Sequence, residues 1–199
     1  MQTHRNLAQL TEEQEDRLPV LLKVCDAIGR EGAGLFIGNR VAADDPDLLL
    51  QHGITATMNL AVNIELLPLA LPDGTVVRRT HIGLIDGPGN LPQHLLAATL
   101  ALHGILGQAS PGKAHYPPHR RGNVLVHCRG GRSRSATVIA LYLHLARPDL
   151  FADFDDAIGH VRTVRGLGTD QPQPAMLALA AEALNIVRQS PDLFRAKAG

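Results

Sequence analysis

The chain reads as an α/β protein, a single domain with a central, largely parallel twisted sheet flanked by helices. Short apolar runs of strand length alternate along it with longer apolar stripes of helical length. Its 199 residues suffice for one domain with a real core and fall short of two. Hydrophobic residues make up 45% and charged residues 19%, the balance of a folded protein rather than a disordered one.

Residues 1–32 are expected to form an N-terminal helical extension, 33–189 the main domain and 190–199 a C-terminal tail. Leu35 to Gly38, Ile54 to Leu60, part of Val76 to Ile85, and Val124 to Val126 read as strands. Asp45-Pro46 caps and opens a helix running to Gln51, and Gly53 ends it. Pro92 opens another, with Leu95, Leu96, Leu100 and Ile105 as its apolar stripe. Ala136 to Leu145 is nearly all apolar, as a helix buried against a sheet requires. Phe154 to Val164 and Pro174 to Val187 complete the helices. Asp86-Gly87-Pro88-Gly89-Asn90 is a tight turn, and the proline-rich, basic stretch from Gln108 to Asn123 reads as a surface loop.

Lysine plus arginine, 19, equals aspartate plus glutamate, 19, so no global charge draws the protein to nucleic acid or membrane. The first residues hold no apolar stretch of signal-peptide length, and no run elsewhere is long enough to span a bilayer. Two cysteines, Cys25 and Cys128, make no disulfide framework, which places the chain in a reducing cytoplasm. Cys25 reads as a small buried hydrophobe. The ten histidines are scattered, and His115 and His119 read as loop residues, so neither metal nor other cofactor is expected.

One segment carries chemistry: His127-Cys128-Arg129-Gly130-Gly131-Arg132-Ser133-Arg134-Ser135. A strand ends at His127, a glycine-bearing turn follows, and a helix begins near Arg134. Such a turn aims backbone N–H groups inward, and the helix dipole adds positive potential, which together make an anion site. Arg134 supplies a planar fork for two phosphate oxygens. Arg129, Gly130, Gly131, Arg132 and Ser133 complete the phosphate cradle. The same field favours thiolate at Cys128, a ready nucleophile. Ser135 can donate a hydroxyl hydrogen bond, and His127 is placed to support the loop.

These nine residues resemble the HCxxGxxRS signature of the dual-specificity branch of the protein tyrosine phosphatases. Cys128 and Arg134 stand five residues apart, 129 to 133, as that family's motif requires. Leu35 through Asn39, Ile54 through Leu60, and Val161 through Arg165 are similar to its opening strands and late helix. HCRGGRSRSAT is also similar to the loop of the phosphatase that acts on phosphatidylglycerophosphate. The resemblance implies a protein tyrosine phosphatase-like fold, with 33–189 as catalytic domain, and metal-free hydrolysis of phosphate monoesters through a phosphocysteine. It also implies an aspartate general acid after a short apolar strand, and Asp86, after Ile82 through Ile85, takes that place. Gly87, Pro88 and Gly89 then suit a mobile loop. Gln171 and Gln173 are candidates for positioning the second-step water.

A rhodanese-like sulfurtransferase needs arginine five positions after its cysteine, where this chain has Ser133. A non-catalytic phosphate-binding module usually lacks the cysteine or the arginine, and both are present. Arg129 and Arg132, with Lys113, Arg120 and Arg121, are expected to gather positive charge beside the pocket and favour a substrate with extra negative charge. The substrates left open are phosphotyrosine, phosphoserine or phosphothreonine proteins and acidic phospholipid or inositol phosphate headgroups.

Overall fold

In the computed structural model, which describes residues 10–28, 32–108 and 112–190, the apolar runs pair edge to edge. The strands are β1 (Leu21–Cys25), β2 (Leu35–Gly38), β3 (Ile54–Ala61), β4 (Arg78–Leu84) and β5 (Asn123–His127), in the order β1-β2-β5-β3-β4. β2, β5, β3 and β4 run parallel, and β1 joins β2 antiparallel as an edge. The central strands β2 and β3 are buried along their whole length, which is why they read as continuous apolar runs.

Residues 21–25 lie within the stretch expected as a helical extension, and they form a strand instead. A half-exposed antiparallel edge of five residues gives little periodic signal. The helical part of the expectation shrinks to α1 (Glu12–Glu15), capped by Thr11 in a capping box with Gln14. Residues 1–9, and 191–199 of the expected tail, lie outside the described residues.

The other helices are α2 (Arg40–Ala43), α3 (Pro46–Gln51), α4 (Pro92–Gly107), α5 (Arg134–Ala146), α6 (Phe154–Arg165) and α7 (Pro174–Arg188). Asp45 caps α3 by accepting from the Leu48 N–H at 2.9 Å, with Pro46 in the first turn. Asp153 opens α6 in the same way, and Gly166, at φ +71°, closes it in the left-handed conformation.

Helices α4 to α7 cover one face of the sheet over a core that includes Met58, Val126, Ile139 and Leu102. Phe36, Leu49, Ile54 and Leu125 form a smaller cluster on the other face, beneath α3. Each fully buried Leu, Ile or Phe in these layers contributes about 1.5–3 kcal/mol. Gly38, Asn59 and His127 stand level at the carboxyl ends of three neighbouring parallel strands. That edge is where open α/β sheets place their ligands.

Candidate active site

The turn from Cys128 to Ser133 joins β5 to α5 at this edge. Gly131 sits at φ +70°, and a Cβ there would lie 2.5 Å from the Gly38 carbonyl oxygen, so no other residue fits. Arg165, 3% exposed, donates from Nε to the Gly131 carbonyl at 3.1 Å and from Nη2 to the Gly130 carbonyl at 3.0 Å. With the carbonyls tied back, the N–H groups of Gly131 and Ser135 are directed at the Cys128 sulfur.

Cys128 is 2% exposed, and its Sγ lies 3.4 Å from Ser135 Oγ. Burial alone would push the thiol up. The Arg134 charge, the Ser135 hydroxyl and the two N–H groups outweigh it and bring the thiol below its ordinary value. Arg134, 4% exposed, donates to the Leu84 carbonyl at 3.2 Å through Nη1, and its Nη2 lies 3.3 Å from Asp86 Oδ2. Its buried Nε has no hydrogen-bond partner among the described residues. The structure therefore brings Cys128, Arg134, Ser135 and Asp86 together.

Asp86 is held where the turn cluster was expected. Asn90 accepts from the Ile85 N–H at 2.9 Å and donates to the carbonyls of Ile85 and Gly87 at 2.8 and 3.2 Å. Across the cavity, the Gln173 N–H donates to Ser133 Oγ at 3.3 Å. A cavity of about 300 Å³ results, lined by Cys128, Asp86, Gly130, Ser133, Gln171 and Gln173 together with residues of α1. His127 is fully buried behind the loop, its Nδ1 3.3 Å from the Cys128 carbonyl. Burial chiefly, with Arg79 and His81 adding, pushes it down to about 4.

Arg129 and Arg132 depart from expectation. Arg132 donates to Glu15 Oε2 and, at 2.8 Å, to Asp16 Oδ1, with Glu12 3.4 Å away. Arg129 Nε lies 3.1 Å from Asp16 Oδ2, and Arg165 Nη2 2.7 Å from Glu15 Oε1. Arg132 is thus spent on the carboxylates of α1 and its C-cap, while Arg129 is 68% exposed beside the cavity and paired with Asp16 alone. The N–H groups of the loop and Arg134 are left for that task. The loop from residue 112 to 122 leads into the start of β5, about 16 Å from its Cys128 end. There Arg120 pairs with Asp73, Arg121 donates to the Leu106 carbonyl, and Lys113 lies over the Tyr116 ring. The expected positive patch beside the pocket therefore does not assemble.

Cys25 pairs with Leu35 at the start of β2, whereas Cys128 follows His127, which pairs with Gly38 at its end. They are four residues along, about 13 Å, and two strands across, about 10 Å, too far for a disulfide. Sequence reasoning missed Glu12, Glu15 and Asp16 as partners of the loop. The capping-box pattern from Thr11 to Gln14 is a local signal for the helix, and no local signal points to its target. Asn39, fully buried, fixes that helix by donating to the carbonyls of Glu15 and Leu18 at 3.4 and 2.8 Å. Among the described residues no cluster of three His, Cys, Asp or Glu could hold a metal ion, and no helix is long and apolar enough to cross a membrane.

A buried cysteine on a glycine-bearing loop, with five residues between it and an arginine that opens a buried helix, defines the site of the cysteine-phosphatase class. Known proteins agree. The chain is 32% identical over 115 residues to dual specificity phosphatase 28 of Mus musculus, covering 57% of this chain and 60% of that one. It is 30% identical over 135 residues to dual specificity protein phosphatase MPK-4 of Drosophila melanogaster, 67% of this chain and 30% of that one. The crystal structure of human DUSP28 superposes with a TM-score of 0.60 at 22% identity, over 86% of this chain and 97% of that one. No protein-family model matches. In sequence and in fold the chain is similar to the dual-specificity branch of the protein tyrosine phosphatases, and it matches under two thirds of the length of these curated relatives.

Proposed function

We propose that the chain hydrolyses phosphate monoesters through a phosphocysteine intermediate formed on Cys128. The observation that carries this reading is the Cys128 thiol, buried yet held below its ordinary value by Arg134 and Ser135. The unpartnered Nε of Arg134 supports it, since a phosphate oxygen would satisfy that buried donor. In the first step the thiolate attacks phosphorus, an S–P bond forms and the P–O ester bond breaks. Asp86 gives its proton to the departing oxygen. In the second step water attacks phosphorus and yields a proton to the Asp86 carboxylate. The S–P bond breaks, and free phosphate and the thiolate are restored.

Arg134 and the inward N–H groups carry the charge on the phosphoryl oxygens. Ser135 stabilises the thiolate as leaving group. Gln171 and Gln173 line the cavity and orient the water. The catalytic unit begins at α1, since its carboxylates bind the loop. The substrate is a phosphorylated protein or an acidic phospholipid or inositol phosphate, not a nucleic acid. The compartment is the cytoplasm, whose reducing poise keeps Cys128 free.

The test is hydrolysis of an aryl phosphate in EDTA by wild type, Cys128→Ser and Asp86→Asn. Wild type should turn over in the chelator, and Cys128→Ser should be inactive. Asp86→Asn should lose roughly a hundredfold to ten-thousandfold, more for a poor leaving group than for a good one. Residual turnover by Cys128→Ser, or activity lost to EDTA, would refute the mechanism.

A further inference from the structure

The rim of the cavity is acidic where a substrate would meet it. Glu12 and Glu13 line it with their side chains 65% and 77% exposed, and Asp86 is 38% exposed. Arg129 stands among them, already paired with Asp16. Arg132, the other cation of the rim, is 14% exposed and faces Glu12, Glu15 and Asp16. A second phosphate on the substrate would therefore meet Glu12 and Glu13 beside the 68% exposed Arg129, which Asp16 already pairs, and to win Arg132 it would have to break a nearly buried network.

Next to this cavity lies a larger groove of about 610 Å³, and the two share Glu12, Arg132 and Gln171 in their walls. The groove adds Leu10, Val164 and Leu167 as apolar wall, Asp170 as a further carboxylate, and Lys23, whose charge Asp26 pairs at 2.9 Å. A lysine or arginine side chain fits such a surface, its stem on the apolar wall and its head at the carboxylates.

We propose that α1 makes the site selective for phosphoprotein segments in which a basic residue flanks the phosphorylated one, with Glu12 and Asp170 receiving that cation. The inference rests on the phosphatase reading and narrows its substrate class. One phosphate enters over Cys128, and the adjacent basic side chain lies in the groove. Inositol polyphosphates and acidic phospholipid headgroups, which bring extra negative charge, are disfavoured.

The experiment measures kcat/KM of the full chain on an aryl phosphate, on a soluble inositol bisphosphate, and on phosphotyrosine and phosphothreonine peptides flanked by either lysine or glutamate. The lysine peptides should exceed the glutamate peptides by about fivefold or more at low salt, the scale of one or two exposed ion pairs. That ratio should shrink toward one in about 0.5 M NaCl and fall in Glu12→Lys, while inositol bisphosphate stays poorer than the aryl phosphate. An equal or inverted ratio, a ratio indifferent to both salt and Glu12→Lys, or inositol bisphosphate as the better substrate would overturn the proposal and leave the phosphatase reading standing. No hydrolysis of any substrate would overturn both.

Discussion

At the scale of the residue, the site rests on a contest at one sulfur. Burial opposes charge on Cys128, and Arg134 is the largest single influence that favours it. A thiol lowered in this way stays thiolate to more acidic pH than a free cysteine, whose ordinary value is about 8.5. Removing Arg134 leaves burial with less opposition, so the thiol should rise. Alkylation by iodoacetamide, followed against pH by mass spectrometry in a Cys25→Ser background, reads this out. The wild-type rate should reach half its maximum below the free-thiol value, and Arg134→Ala should move that midpoint upward. Superimposable profiles would show that the guanidinium does not govern the thiolate. Because this electrostatics comes from residues within one turn of Cys128, it was legible in nine consecutive letters of sequence.

At the scale of the element, the least conspicuous helix has the largest structural reach. α1 is four residues long, too short to be stable by itself, and Asn39 anchors it from the end of β2. In return its Glu15, 7% exposed, joins Arg132 to Arg165, and Arg165 holds the carbonyls of Gly130 and Gly131. Glu15→Ala would leave two nearly buried guanidinium groups without their shared carboxylate. Loss of one partner from a buried pair costs about 3 kcal/mol or more, so the urea midpoint should fall clearly. Glu13→Ala removes only an exposed pair with Arg17 and should change the midpoint little. Equal effects would mean that the network does not hold the loop.

The same comparison shows what the sequence could and could not tell. β2, β3, β4 and β5 and the five longer helices were legible because each carries its own apolar pattern, and α3 and α6 carry capping aspartates as well. β1, a half-exposed edge, and the Glu15–Arg165 link were not, since 150 residues separate that pair. A long-range ion pair leaves no local pattern. Arg129 and Arg132 were misread for the same reason, as their carboxylate partners lie more than a hundred residues away.

At the scale of the whole molecule, the fold puts a titratable ring at the centre of its functional edge. His127 ends β5, fully buried behind the loop, and burial chiefly, with Arg79 and His81 of β4 adding, puts it near 4 in the folded chain. In the unfolded chain it returns to about 6.5, so between these values the unfolded state binds the extra proton. Stability from the neutral ring is therefore complete above about pH 6.5, is lost as pH falls, and levels off below about 4. The loss amounts to about 2 kcal/mol at pH 5, a large share of the margin of an ordinary domain. Urea unfolding at pH 7 and pH 5 should show this difference in wild type, and His127→Asn should lose most of it. The variant also separates this ring from carboxylates elsewhere, because their contribution to acid sensitivity would remain. Equal acid sensitivity in both proteins would mean that His127 is not held neutral. If the difference is found, the strand end that positions Cys128 also sets the lower pH limit of the folded site.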